Sequence, residues 1–344
     1  ERDLGFRFDV QPEQFLTAFG VAGSGEATGV ARSLRAFWDN LAPIQIDWRK
    51  VVNSTYDRRD LKPNLWDQLV LVGFDQMRFM DADTASAAGD ARNWSVRGGY
   101  LFPLGLDFDV LYSSGDRRTF TLLNERRVRD KEWPSFDVRW RTVPIPPAVD
   151  GLFRDITVTG GWSTRETKVS TTTGQDQGSE QTVRSLGLVF VLMNGFNLTY
   201  DVDNTAVERL DATGLSQSTR TSHSVRLSGF LPPPGFLSFV RNDLRLSFEY
   251  SNNGNSDCRA LGGSGFGDID PTFRDDCTTH TDQTTQNAAL AIDTDFTGYS
   301  LGVQLQWVGR ASGVGRQQSS NQFNFNIFGR FFFRASEGET QFTR

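Results

Sequence analysis

Apolar and polar residues alternate along most of this chain, and a period of two is typical of β-strands. Near the C-terminal end, Phe323, Phe325 and Ile327 alternate with Asn324 and Asn326. Successive side chains of a strand point to opposite faces of a sheet, so each such segment has one apolar and one polar face. The alternation therefore predicts an all-β, antiparallel fold.

The same pattern recurs in eleven segments of the chain. The predicted strands cover residues 91–101, 104–115, 133–142, 153–168, 182–192, 195–208, 219–230, 240–252, 283–293, 298–310 and 319–333. Two further segments, 43–59 and 65–79, alternate less regularly but are plausible strands. We therefore expect about 11 to 13 strands in the chain.

The length of the strands and of their connections favours a transmembrane barrel over a soluble sandwich, which alternates as well. Most segments have about ten residues or more, enough for a tilted strand to cross a bilayer. Short connections are predicted at 102–103, 143–152, 193–194, 231–239 and 294–297, and long ones at 116–132, 169–181, 209–218, 253–282 and 311–318. Bacterial outer-membrane barrels combine short periplasmic turns with longer extracellular loops.

The two predicted ends of the barrel also differ in composition. Most prolines fall in the short connections, whereas the long ones are rich in Ser, Thr, Asn, Gln and Asp. Aromatic residues stand near the predicted strand ends, as in interfacial girdles, at Trp133, Trp140, Trp162, Phe230, Phe236 and Trp307. The sequence therefore predicts an antiparallel transmembrane β-barrel in the outer membrane, in contact with its lipid.

The chain is divided into three parts by this interpretation. Residues 43–335 supply the barrel strands, and residues 336–344 form a C-terminal tail. Residues 1–42 are expected to be a plug, a loop or the end of an upstream strand, since segments 13–19 and 28–38 have spacings closer to those of a helix. An odd strand count and the lack of a signal peptide predict a section of a larger barrel.

Charged residues on the polar side of the strands are predicted to face the lumen, because an Arg or Lys in the lipid midplane costs about 2–4 kcal/mol. These residues are Asp107, Asp109, Arg139, Arg141, Asp201, Asp203, Arg226, Arg245, Glu249 and Arg330. A hydrated lumen of mixed sign suits a polypeptide conduit and a small-ion pore equally well. The same side chains also serve simply to fill and solvate the interior.

The longest predicted loop contains both cysteines, Cys258 and Cys277. An even pair in an exported loop predicts a disulfide, with two free thiols as the alternative. The loop also holds Asp268, Asp270, Asp275 and Asp276, whose spacing does not match an EF-hand; solvated loop acids are the simpler interpretation.

Composition and motifs argue against several other classes of protein. Two Cys and two His exclude a Cys/His zinc module, and an isoelectric point near 5.1 disfavours a nucleic-acid partner. His223 lies between two serines, but neighbours on a strand point to opposite faces, and no nucleophile-elbow motif is present. We expect no enzyme activity, no cofactor and no metal site.

Three segments resemble the C-terminal region of the SprA/Sov family, the giant outer-membrane translocon of type IX secretion. Leu186–Asn204 (LGLVFVLMNGFNLTYDVDN) is similar to its strand–turn–strand unit, Phe239–Ser251 (FVRNDLRLSFEYS) to its "NDL" strand, and Pro43–Asp57 (PIQIDWRKVVNSTYD) to its proline–Trp–Arg segment, although the residues before the Trp differ. The resemblance implies a very large barrel that passes polypeptide cargo to the cell surface with plug and lateral-gate proteins as partners.

Other functions remain open at this point. A self-contained porin-like or substrate-uptake barrel would close on itself and conduct ions. A lipopolysaccharide-assembly barrel would have a seam between its first and last strands. A surface barrel without transport would bind a partner through residues 253–282.

Overall fold

The structure is a computed structural model of the 344-residue chain. It describes residues 2–12, 37–55, 79–80, 83–84, 86–121, 124–172, 177–211, 214–235, 242–260, 279–296, 299–314 and 316–331. Of the predicted strand 65–79, only the last residue is described. The predicted tail 336–344, segment 13–19 and most of segment 28–38 lie outside the described residues.

Strands make up nearly all of the described chain. Their bounds are β1 (Arg2–Val10), β2 (Ile44–Thr55), β3 (Phe79–Met80), β4 (Asp83–Thr84), β5 (Ala87–Phe102), β6 (Leu106–Thr121), β7 (Asn124–Trp140), β8 (Phe153–Thr171), β9 (Gln177–Leu192), β10 (Asn197–Asp211), β11 (Gly214–Leu231), β12 (Leu244–Ala260), β13 (Thr279–Phe296), β14 (Tyr299–Val314) and β15 (Arg316–Phe331). A 3-10 turn covers Pro103–Gly105. No helix in this described part is long and apolar enough to span a membrane.

Thirteen of these strands form one antiparallel sheet in the order β1-β2-β5-β6-β7-β8-β9-β10-β11-β12-β13-β14-β15. β3 and β4 pair only with each other. The all-β class and the antiparallel arrangement of a barrel section are therefore confirmed, including the eleven regular strands and the less regular one at 43–59. β1 adds a strand inside the N-terminal segment, paired with β2.

The predicted long connections 116–132, 169–181, 209–218 and 311–318 are wrong, because strands occupy most of each. β6 continues to Thr121 and β7 begins at Asn124, so the predicted loop is an extended hairpin. In the strand halves next to these connections, polar residues occupy both faces of the sheet, so the sequence there does not alternate between apolar and polar residues. Backbone pairing continues there, with side-chain bonds such as Asn204 Nδ2 donating to Thr221 Oγ1 at 2.9 Å.

The sheet has a lower end and an upper end. We call lower the end with the turns 103–105, 141–152 and 193–196, and upper the opposite end. Trp133, Trp162 and Trp307, predicted near strand ends, lie well inside their strands, since the strands extend past them toward the upper end. The change from apolar to polar side chains therefore falls in mid-strand.

One face of the sheet carries a continuous band of large apolar side chains, the apolar belt. We define the belt by Ile46, Val96, Val110, Val138, Val158, Leu188, Tyr200, Leu227, Phe248, Leu290, Leu305 and Phe325, which share this face in the strand register. Few apolar residues of the described chain are buried, whereas Trp94 is 43%, Leu186 43% and Ile292 41% exposed. Within the described residues, the belt side chains are therefore largely exposed rather than packed in a hydrophobic core.

The upper edge of the belt descends relative to the hydrogen-bonded rows of the sheet between β5 and β14. One row joins Phe102, Leu106, Trp140, Val158, Leu188, Tyr200, Val225, Tyr250, Ala288 and Trp307. It begins at the lower edge of the belt in β5 and reaches the upper edge in β14, whereas the upper edge in β5 is at Trp94. An offset of eight residues over nine strand steps corresponds to a strand tilt of about 30°.

β1 and β15 are the two edges of the sheet. Within the described residues neither strand pairs with the other, so the sheet is open. Thirteen antiparallel strands also make the two edges parallel to each other, because both run from the upper to the lower end. Direct pairing of these two edges would therefore be parallel, unlike every other strand pair in the described sheet.

Candidate functional site

The face opposite the apolar belt, the polar face, carries the charged residues that the sequence assigns to a lumen. Nine of the ten predicted residues share this face through the strand register or, for Arg141, through an ion pair: Asp107, Asp109, Arg139, Arg141, Asp201, Asp203, Arg226, Arg245 and Glu249. The side chain of Arg330 lies outside the described residues. That this face bounds a lumen stays a prediction.

Charges of opposite sign meet across β5, β6 and β7 on the polar face. Asp107 lies opposite Arg139 in the register, and its Oδ2 is 3.0 Å from Arg141 Nη2. Arg97 Nη2 lies 3.8 Å from Asp109 Oδ2. These arginine side chains are at least 60% exposed, so the pairs sit in a solvated surface and contribute little to stability. Their effect is to leave fixed charges of both signs in accessible positions.

A second set of paired charges lies on β11, β12 and β13. Arg226 Nη2 donates to Glu249 Oε1 at 3.2 Å. Arg245 Nη1 is 3.6 Å from Asp293 Oδ2, and its Nη2 donates to Asp295 Oδ2 at 3.2 Å. The mixed-sign pattern therefore continues across most of the width of the sheet.

A recess of about 580 Å³ lies on the polar face between the two charged sets. It is lined by the carboxylates of Asp107, Asp109, Asp137, Asp201 and Asp203, by Arg97, Arg139 and Arg141, and by small side chains. Ser224 Oγ donates to Asp201 Oδ2 at 3.5 Å. This surface presents hydrogen-bonding groups rather than an apolar pocket for a small ligand.

Glycines make room for carboxylates on this face. A Cβ atom on Gly187 would lie 2.5 Å from Thr159 Oγ1 and 3.0 Å from Asp201 Oδ1. A Cβ atom on Gly161 would lie 2.8 Å from Asp137 Oδ1. Both contacts are below the distance of ordinary van der Waals packing, so the position of these acids depends on the missing side chains.

Replacing Gly187 by alanine is expected to lower the free energy of unfolding by about 1–3 kcal/mol, because the added methyl group displaces Thr159 and Asp201. The matched control is Gly151→Ala in a turn, where nothing lies within 4 Å of the new atom, and we expect a change within about 0.5 kcal/mol. Guanidinium unfolding of the complete barrel that contains this chain, in lipid vesicles, measures both. Equal effects would show that close packing at Gly187 is unimportant.

Several charged residues of the polar face are absent from the predicted set. Arg165 Nη2 lies 3.7 Å from Asp130 Oδ1, and Thr167 Oγ1 donates to the same oxygen at 2.6 Å. Arg49 Nε donates to Asp3 Oδ2 at 2.9 Å on the first strand pair. Extending the alternation of β8 past its apolar segment would have found Arg165, whereas the register shift of β7 between Glu132 and Ser135 hides Asp130 from such a pattern.

Cys258 is disulfide-bonded, which fits the prediction made for it. It lies at the upper end of β12 opposite Gln217 and His280. The chain has one other cysteine, Cys277, which lies outside the described residues. The pairing of the two therefore stays a prediction, as does the interpretation of the loop acids Asp268, Asp270, Asp275 and Asp276, which are also outside.

The two histidines lie on the apolar-belt side of the sheet, above the belt. Tyr200 Oη is 3.3 Å from His223 Nδ1, and His280 Nε2 is 2.8 Å from Asp282 Oδ2. Ser222 and Ser224 point to the polar face, away from His223. In the part of the chain that the structure describes, no group of three or more His, Cys, Asp or Glu side chains is arranged to hold a metal ion.

No family model matches the chain, and no match was found among the curated proteins.

Proposed function

We propose that this chain is a section of an outer-membrane β-barrel that conducts polypeptides to the cell surface, in the manner of the SprA/Sov translocon that its segments resemble. The observation that carries the proposal is the open thirteen-stranded sheet, with an exposed apolar belt on one face and fixed charges on the other.

The apolar belt supports a position in a membrane. Soluble monomers rarely expose contiguous apolar patches of more than a few hundred Å², and this belt crosses twelve of the thirteen strands. In β5 it runs from Trp94 to Phe102, about 27 Å along the strand, which is about 23 Å in height at a tilt of about 30° and close to the height of about 25 Å known for outer-membrane barrels. The upper edge of the belt shifts along the strands from β5 to β14, as expected where tilted strands cross the flat surface of a membrane.

The two edges support a barrel larger than this sheet. An unpaired strand edge is not tolerated in lipid, since each free backbone group costs several kcal/mol. Direct closure would pair β1 with β15 in parallel, whereas bacterial single-chain barrels have an even number of antiparallel strands. An additional odd number of strands between the edges, from the same protein or from a partner, removes both difficulties.

The polar face supports a hydrated conduit. Its charged side chains are partly solvated and of mixed sign, so it offers no strong field that would hold a charged polypeptide. In the described strands the positions between the charges are mostly Ser, Thr, Gly, Asn and Gln, which hydrogen-bond to water and to peptide groups alike. A porin-like uptake barrel has a similar lining and is the alternative.

Depleting the protein in its host separates these two functions. A translocon predicts that surface proteins lose protease accessibility in intact cells and that their precursors accumulate in the periplasm. The control is depletion followed by re-expression of the intact chain, which should restore surface exposure. An unchanged set of surface proteins together with a loss of solute uptake would contradict export and support a porin-like barrel.

A further inference from the structure

A group of basic side chains lies on the same face as the apolar belt, beyond its upper edge. This basic rim consists of Arg118, Arg127, Arg129, Lys131 and Lys168 on β6, β7 and β8. Below Lys131 in β7 lies Trp133, which is 47% exposed and 5.9 Å from Tyr112 between ring centroids. The rim therefore begins directly above the edge of the belt.

Like charges oppose each other in the basic rim. Arg118 lies directly opposite Arg127, and Arg129 directly opposite Lys168. Like charges at directly opposed positions destabilise a strand pair. On the polar face the opposite arrangement is common, as in the pair of Arg226 with Glu249. On their other sides, three of these cations face acids: Asp90 lies opposite Arg118, Asp116 opposite Arg129 and Glu166 opposite Lys131. The rim is therefore a mixed cluster in which cations outnumber acids.

Nearby acids offset only part of this charge. Asp116 accepts a hydrogen bond from Arg127 Nε at 2.8 Å, and Glu166 pairs with Lys168. Over the described residues, Arg118, Arg129 and Lys131 make no ion pair. Cationic groups therefore remain available to an anionic ligand.

A recess of about 580 Å³ lies among these side chains. Arg127, Arg129 and Lys168 line it, and Ser170, Thr172 and Glu125 also border it. The hydroxyl group of Thr172 donates to Asn124 Oδ1 at 3.1 Å, so the cations are the groups that would meet a ligand. Arginine and lysine side chains are common phosphate-binding groups in proteins. The composition of the recess therefore fits a phosphorylated ligand.

We propose that the basic rim binds the phosphorylated headgroup of an outer-leaflet glycolipid. The inference rests on the proposed membrane position, because the recess faces the side that would contact lipid. A ligand bound there can keep its acyl chains against the apolar belt, which a free phosphate cannot do.

The height of the rim favours a tall headgroup. Arg129 lies four residues above Trp133, about 13 Å along the strand, and Arg127 about 20 Å. The headgroup layer of a phospholipid leaflet is only about 5–8 Å thick. A lipid with phosphates carried on sugars reaches this height, and an ordinary phospholipid does not.

The test uses the complete barrel that contains this chain, purified in detergent, with hexa-acylated lipid A bearing two phosphates as the probe. Arg129→Gln combined with Lys168→Gln should weaken binding by about 25-fold, at about fivefold for each basic side chain near the lipid surface. The control is Arg117→Gln with Arg126→Gln, two exposed cations on the polar face of the same strands, and its affinity should equal that of the wild type.

Three further measurements distinguish a lipid headgroup from free phosphate, and failure of this inference from failure of the proposed function. Dephosphorylated lipid A should bind poorly, and inorganic phosphate at millimolar concentration should not displace the probe. Displacement by inorganic phosphate, or equal binding by both double variants, would overturn the inference. If the wild-type protein and both double variants were all absent from the membrane fraction of cells, that result would instead contradict the proposed function.

Discussion

Leu188→Arg is expected to lower the free energy of unfolding by about 2–4 kcal/mol and to reduce the folded fraction in the outer membrane severely. Leu188 lies in the middle of the belt segment of β9, opposite Val158 and Tyr200. A guanidinium group there would face the lipid core, where neither water nor a counter-ion solvates it. Guanidinium unfolding in lipid vesicles and heat-modifiability on unboiled gels measure the loss.

The neighbouring substitution Val189→Arg provides a matched control. Val189 is next in the chain, is also aliphatic and partly buried, and points to the polar face opposite Thr157 and Thr199. An arginine at this position reaches a solvated surface, so we expect a change of less than about 1 kcal/mol. A similar loss of stability in both variants would contradict the assignment of the two faces.

Cysteines placed on the two edges of the sheet are expected not to crosslink in the native membrane. The variants combine Phe8→Cys in β1 with Phe323→Cys, Phe325→Cys or Ile327→Cys in β15, in a background with Cys258 and Cys277 replaced by serine. The edges are parallel and unpaired, so additional strands should hold the cysteines apart. Oxidative crosslinking followed by gel analysis gives the yield.

The control for this experiment is a cysteine pair on adjacent strands. Leu305 and Phe325 lie directly opposite each other in β14 and β15, so Leu305→Cys with Phe325→Cys should crosslink efficiently. A comparable yield for any pair between β1 and β15 would mean that the thirteen strands close on themselves. The larger barrel would then be wrong.

The sequence predicts those parts of the fold in which one face is apolar and the other polar. The turn between β9 and β10 is an example, because Asn194 and Gly195 interrupt two alternating runs and Gly195 adopts a φ of +84° that favours glycine. The charged residues of the polar face follow from the same alternation, which is why nine of ten predicted positions share one face.

The upper halves of the strands could not be predicted in this way. Residues such as Thr164, Thr182 and Asn204 are polar on the belt side as well, so alternation disappears although the backbone ladder continues. The basic rim depends further on the register of β7, which shifts between Glu132 and Ser135. A sequence pattern does not specify which side chains face each other across such a shift.

The most direct test of the membrane account is a spin-label scan of β10 from Asn197 to Ala206 in the native membrane. Labels at Leu198, Tyr200 and Val202 should be accessible to oxygen and shielded from a water-soluble nickel complex, with the reverse at Thr199, Asp201 and Asp203. The alternation should end at Asn204, above which both faces meet water. Uniform access of the nickel complex at all of these positions would contradict the account.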